Sequence, residues 1–232
     1  MNTNEVAVLF RAYTDESDAT FLSDADVATF LNIAYKQFRQ LVQRQDNFYF
    51  ATRVQITLSN KRVYDLSSTG AEAVTVLGPS PSAEKMTRLL RVGTDDSSGN
   101  LTSGVYLRAC RSTVEVTNSI FSYMLEGSKL YFSGDSNQKY NLEYVPEAPT
   151  VFTTANIQTG AGAVIDNLSD YHDLIALLAY RQYAIKDFQQ NPVVEIQLAE
   201  RRAEITEYLQ EGRAFNARSS VISVDEADFF NP

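Results

Sequence analysis

Few residues in this chain have the chemistry of a reactive centre. His172 is the only histidine among 232 residues and Cys110 the only cysteine. General-base and nucleophilic catalysis both need a base within hydrogen-bond reach of the group it activates. His172 stands between Asp170 and Asp173 in a first helical turn, where a lone histidine is expected at the surface. Cys110 lies near Arg108 and Arg111, cations that lower a thiol's pKa, but no histidine is close to it in sequence. A packed, inert thiol is the expectation. Carboxylates at 15, 16 and 18, and at 95 and 96, do not follow the spacing of an EF-hand loop and read as solvated acidic loops. No G-x-x-x-x-G-K-S/T loop is present, so Asp225-Glu226-Ala227-Asp228 spells a helicase motif without its phosphate-binding partner. The expectation is a protein that is not an enzyme, with no catalytic residue, cofactor or metal.

The net charge of −9 argues against a protein that grips phosphates, since Lys and Arg carry that binding. It is compatible with a wall that surrounds DNA and lets it slide. A 44% hydrophobic share with 13 Tyr and 13 Phe supplies a large core. No run approaches the roughly 20 apolar residues that span a bilayer, and MNTNEVAVLF lacks the basic start of a secretion signal.

The clearest element is 24–44. Val27, Phe30, Leu31, Ala34, Tyr35, Phe38, Leu41 and Val42 form one helical stripe, Ser23 caps it, and Asp24 and Asp26 suit its dipole. A shorter helix is expected over 4–13, with Phe21 stapling the start of the longer one. From Arg53 the period changes to 2. Residues 53–58 and 63–66 read as a hairpin, followed by strands at 73–77, 87–92, 105–109, 112–117, 120–125, 129–133 and 139–145 in an antiparallel meander. Residues 151–168 read as irregular. Helical periodicity returns at 169–190, and Asn191-Pro192 caps and starts a helix that Gly212 ends. The stripes at the two chain ends must meet, burying Phe30, Leu31, Phe38, Leu177, Leu178, Ile185, Leu198 and Ile205. The fold class is therefore α+β: a helical bundle from 1–50 and 166–212, an inserted antiparallel β-domain at 51–165, and an extended tail at 213–232.

That tail is rich in apolar residues for a disordered end. Its Phe215, Val221, Ile222, Val224, Phe229 and Phe230, with Asp225, Glu226 and Asp228, are the candidate partner-binding residues. VISV is a segment able to add to a sheet edge, and the two terminal aromatics are anchors for a pocket.

The order of elements resembles the head-to-tail adaptor (connector) proteins of tailed bacteriophages. The resemblance covers residues 4–211 and rests on EVAVLFRAY, DESDATF, SDADVATFLNIAY, RVYDL, the run from Tyr144 through Pro146 to Pro149, DYHDLIALLAYRQYAIKDF and VEIQLAERRAEITEYLQ. It implies a structural virion protein of the head–tail neck, assembled in the host cytoplasm. Such proteins form homo-oligomeric rings of about twelve copies below the portal protein. They extend the channel for genomic DNA, which passes without tight binding, and they dock tail or nozzle proteins; no membrane is involved. The rival reading is a carbohydrate- or receptor-binding virion module in which Tyr106, Tyr123, Tyr131, Tyr140 and Tyr144 stack on sugars.

Overall fold

A computed structural model describes residues 1–15, 21–57, 62–65, 86–94, 106–133, 139–158, 162–186 and 191–228, without the side chains of 57, 65, 186 and 213–228. The fold is mixed α+β, with five helices and two sheets among the described residues. Two compact units divide the chain: Met1–Tyr49 with Ala148–Pro232, and Phe50–Glu147.

In the first unit, α1 (Thr3–Thr14) starts at a capping box. The Asn2 side chain accepts from the Glu5 amide, and the Glu5 carboxylate accepts from the Asn2 amide at 2.8 Å. Helix α2 (Asp24–Gln45) begins at Ser23 as its spacing predicts, the hydroxyl accepting from the Asp26 amide at 3.2 Å. The expected staple is corrected by one position. Phe21 is 84% exposed, and Leu22 is buried in its place. The Leu22 carbonyl is held by Arg11, whose guanidinium also reaches Asp24 at 2.7 Å.

Helix α4 (Asp173–Lys186) packs against α1, α2 and α5 (Pro192–Asp228). Neighbours on three sides bury every residue from Leu174 to Tyr180, so this stretch is apolar all round and not striped. Phe10, Phe30 and Tyr183 join α1, α2 and α4, their ring centroids 6.1–6.4 Å apart. Leu31, Phe38, Leu177, Leu178, Leu198 and Ile205 are buried as expected, whereas Phe30 is partly covered. Ile185 is 62% exposed, one turn beyond exposed Arg181 on the same face of α4, while Ala184 beside it is buried. Asn191 caps α5 through the Val193 amide. The helix continues through Gly212 to Asp228, so the backbone there is helical where the sequence predicts an extended tail.

Residues 148–168 belong to this first unit and not to the β-domain. Asn32 of α2 holds them. Its Nδ2 donates to the Phe152 carbonyl at 2.7 Å, and its Oδ1 accepts from the Val151 and Phe152 amides, both at 3.1 Å. Thr3 and Asn4 of α1 donate to the carbonyls of Asn156 and Ile157.

The second unit holds both sheets. Strands β1 (Thr52–Thr57), β7 (Lys139–Pro146) and β3 (Met86–Thr94) form one antiparallel sheet in the order β1-β7-β3. Strands β2 (Val63–Asp65), β6 (Lys129–Phe132), β5 (Ser122–Glu126) and β4 (Arg108–Ala109) form the other, in the order β2-β6-β5-β4. Both contribute to one core, which includes Ile56, Val92, Leu130, Phe132 and Leu142. The predicted hairpin of β1 with β2 is not made, because each strand pairs with a partner far along the chain, in a different sheet. The β5–β6 hairpin is made, with Glu126 opposite Lys129 and Gly127 supplying the positive φ of 58°.

The strand predicted at 112–117 is instead α3 (Thr113–Asn118). Ser112 accepts from the Glu115 amide, and Glu115 reaches back to the Arg111 amide. This Ser-x-x-Glu start outweighs the β-branched residues that follow it. With α3 inserted, β4 and β5 run parallel, so the sheet is not a simple meander. The predicted strand at 73–77 lies outside the described residues.

Candidate functional site

Two polar clusters in the first unit are built by several elements together. The first surrounds His172, which follows a single 3-10 turn at Ser169–Tyr171. Its side chain is 1% exposed, contrary to the surface position its acidic neighbours predict. The tertiary fold supplies what the local sequence does not. Nε2 lies 2.7 Å from Asp166 Oδ1 and Nδ1 lies 2.7 Å from the Met1 carbonyl. Both partners are acceptors, so each ring nitrogen faces an oxygen that can take a hydrogen bond. The Phe38 ring meets the imidazole edge to face at 6.3 Å.

Asp166 also accepts from the Leu168 amide at 2.8 Å and from the Tyr35 hydroxyl at 3.2 Å. Burial pushes its pKa up, but the hydrogen bonds from His172, Leu168 and Tyr35, with the imidazolium charge, outweigh this and hold it below the usual carboxylate range. Tyr35 is shifted the other way, first by burial and then by the Asp166 charge, and stays a neutral donor. Largely buried and hydrogen-bonded on several sides, the cluster has the properties of a structural pin between the chain start, α2 and the entrance to α4.

The second cluster is open. Arg44 of α2, Arg181 of α4 and Arg202 of α5 line a depression of about 470 Å³ with Gln37, Gln40, Leu41 and Leu178. Gln37, Gln40, Leu41 and Arg44 recur at three and four, the spacing of one helical face. Arg202 Nε is buried without a hydrogen-bond partner among the described residues. Burial, followed by the nearby Arg181 charge, lowers its pKa. Each arginine was visible in the sequence, but nothing local brings positions 44, 181 and 202 together.

The tyrosines of the sugar-binding alternative do not form one face. Tyr123, Tyr140 and Tyr144 are buried in the core of the second unit, Tyr131 is partly buried, and Tyr106 is exposed beneath Arg91, 4.5 Å from its ring. Cys110 is buried against Val116 and Met124. Asp15 ends α1 in a left-handed conformation at φ 57°, while the other carboxylates singled out at 16, 18, 95 and 96 lie outside the described residues.

The side chains of Phe215, Val221, Ile222, Val224, Asp225, Glu226 and Asp228, and all of Phe229 and Phe230, also lie outside the described residues. Among the described residues, no group of three or more His, Cys, Asp or Glu is placed to hold a metal ion, and no helix is long and apolar enough to cross a membrane. Compared with protein-family models and with curated proteins, the chain matches none.

Proposed function

We propose that this chain is a head-to-tail adaptor of a tailed-phage virion: a ring-forming structural protein that sits below the portal, extends the DNA channel and docks the tail. One observation carries the reading. Asn32 of the Leu31-Asn32-Ile33-Ala34 core clasps residues 151–152, about 120 residues further on and just past the Pro146 and Pro149 run-out. Residues before and after the inserted segment are thus bonded to each other within one helical unit. The acidic balance of −9 suits a channel that DNA traverses without adhering.

The test mixes the purified chain with portal particles and measures mass and negative-stain images. The expected result is a ring of copies added to the portal, with weak, salt-insensitive binding of duplex DNA. Failure to bind portal, together with a positive signal on a glycan array, would overturn the reading in favour of a carbohydrate-binding module.

A further inference from the structure

The three-arginine depression is unusual in a chain of net charge −9. Among the described residues its lining has no carboxylate, and an ionic partner lies at the rim, where Glu195 is 3.3 Å from Arg181 with both side chains about half exposed. Converging guanidiniums repel one another unless an anion lies between them, and an Arg presents a fork that fits a carboxylate bidentately. Alongside, Arg181, Ala184, Ile185, Asn191 and Glu195 border a second depression of about 330 Å³. Ile185 in the second depression is 62% exposed, and Leu41 lines the first. The surface therefore offers positive charge beside apolar side chains.

We infer that this surface receives the acidic, aromatic C-terminal segment, residues 225–230, of a second copy of the chain. Charge complementarity selects it: Asp225, Glu226 and Asp228 bring three carboxylates to Arg44, Arg181 and Arg202, and Phe229 and Phe230 follow immediately as apolar anchors. Helix length assigns the segment to another molecule. Within the continuous α5, Asp225 lies 225 − 202 = 23 residues beyond Arg202. At about 1.5 Å per residue the helix carries it roughly 34 Å from its own pocket. The contact joins two different surfaces head to tail, so repeating it closes a ring or extends a filament. It deepens the adaptor reading by naming a subunit contact, but it does not require a portal.

The test uses a fluorescent peptide of residues 219–232 titrated with the full-length chain and followed by anisotropy. Saturable binding that weakens with salt is expected, at least about tenfold weaker for Arg202→Gln and for Arg44→Glu chains whose melting temperature is unchanged. A peptide carrying Asp225→Arg and Asp228→Arg should bind the Arg181→Glu chain better than it binds the parent. In sedimentation, full-length Arg44→Ala and full-length Asp225→Arg/Asp228→Arg should each stay monomeric and form one-to-one pairs when mixed. No peptide binding to the parent chain, or equal binding by all the arginine variants, overturns the inference. So does binding of inorganic phosphate or a labelled DNA duplex at the arginines where the peptide does not bind. Peptide binding without portal binding removes the adaptor reading and leaves this contact standing; portal binding without peptide binding does the reverse.

Discussion

Replacing His172 with Phe keeps a flat ring against Phe38 but removes both imidazole hydrogen bonds. Asp166, its side chain 12% exposed, then retains only the Leu168 amide and Tyr35 hydroxyl, and the Met1 carbonyl loses this donor. Removing one partner of a buried pair typically costs about 3–5 kcal/mol, and the low exposure here leaves little room for a solvent discount. The assay is urea denaturation at neutral pH of the parent, His172→Phe, Asp166→Leu and the double variant. The double variant should be less damaged than the two single losses predict, with a coupling of about 1–3 kcal/mol. Acid supplies a second readout. Asp166 has a folded-state pKa below its unfolded value, so its contribution is present above roughly pH 4 and is lost as pH falls through the folded value. Asp166→Asn should flatten that part of the acid limb. A His172→Phe chain within about 0.5 kcal/mol of the parent, or a coupling near zero, would refute the pin.

Two further outcomes follow from single residues. Asn32→Ala removes three hydrogen bonds, each worth about 0.5–1.5 kcal/mol, and should cost about 1.5–4.5 kcal/mol in denaturant midpoint analysis; Asn32→Asp, which keeps both accepted bonds, should lose less. In the second unit, buried Glu143 of β7 bridges Arg53 of β1 and Arg91 of β3. Burial raises its pKa, but the two arginine hydrogen bonds win and lower it, so its contribution is present above about pH 4.3 and fades as acid protonates it. Both arginines are about half exposed, so Glu143→Gln should cost only about 1–2 kcal/mol, with hydrogen exchange rising first along β1 and β3.

Local signals were legible in the sequence wherever neighbours within four residues set the conformation. Ser23 and Asn191 cap helices where their spacing predicts, Gly127 turns the β5–β6 hairpin, and the stripe of α2 packs inward. The Ser112-Thr113-Val114-Glu115 start of α3 was equally local, but its β-branched residues masked it. Tertiary structure decided what depends on distant partners. β1 pairs with a strand more than 80 residues away, because the edge that fits its register is on β7 and not on the strand after the turn. His172 is buried because the chain start and Asp166 converge on it, and Ile185 is exposed because it shares the open face of α4 with Arg181. Arg44, Arg181 and Arg202 gather only when three helices pack. A helical or strand period specifies which face is apolar; it carries no information about which other face meets it, and that choice made both polar clusters.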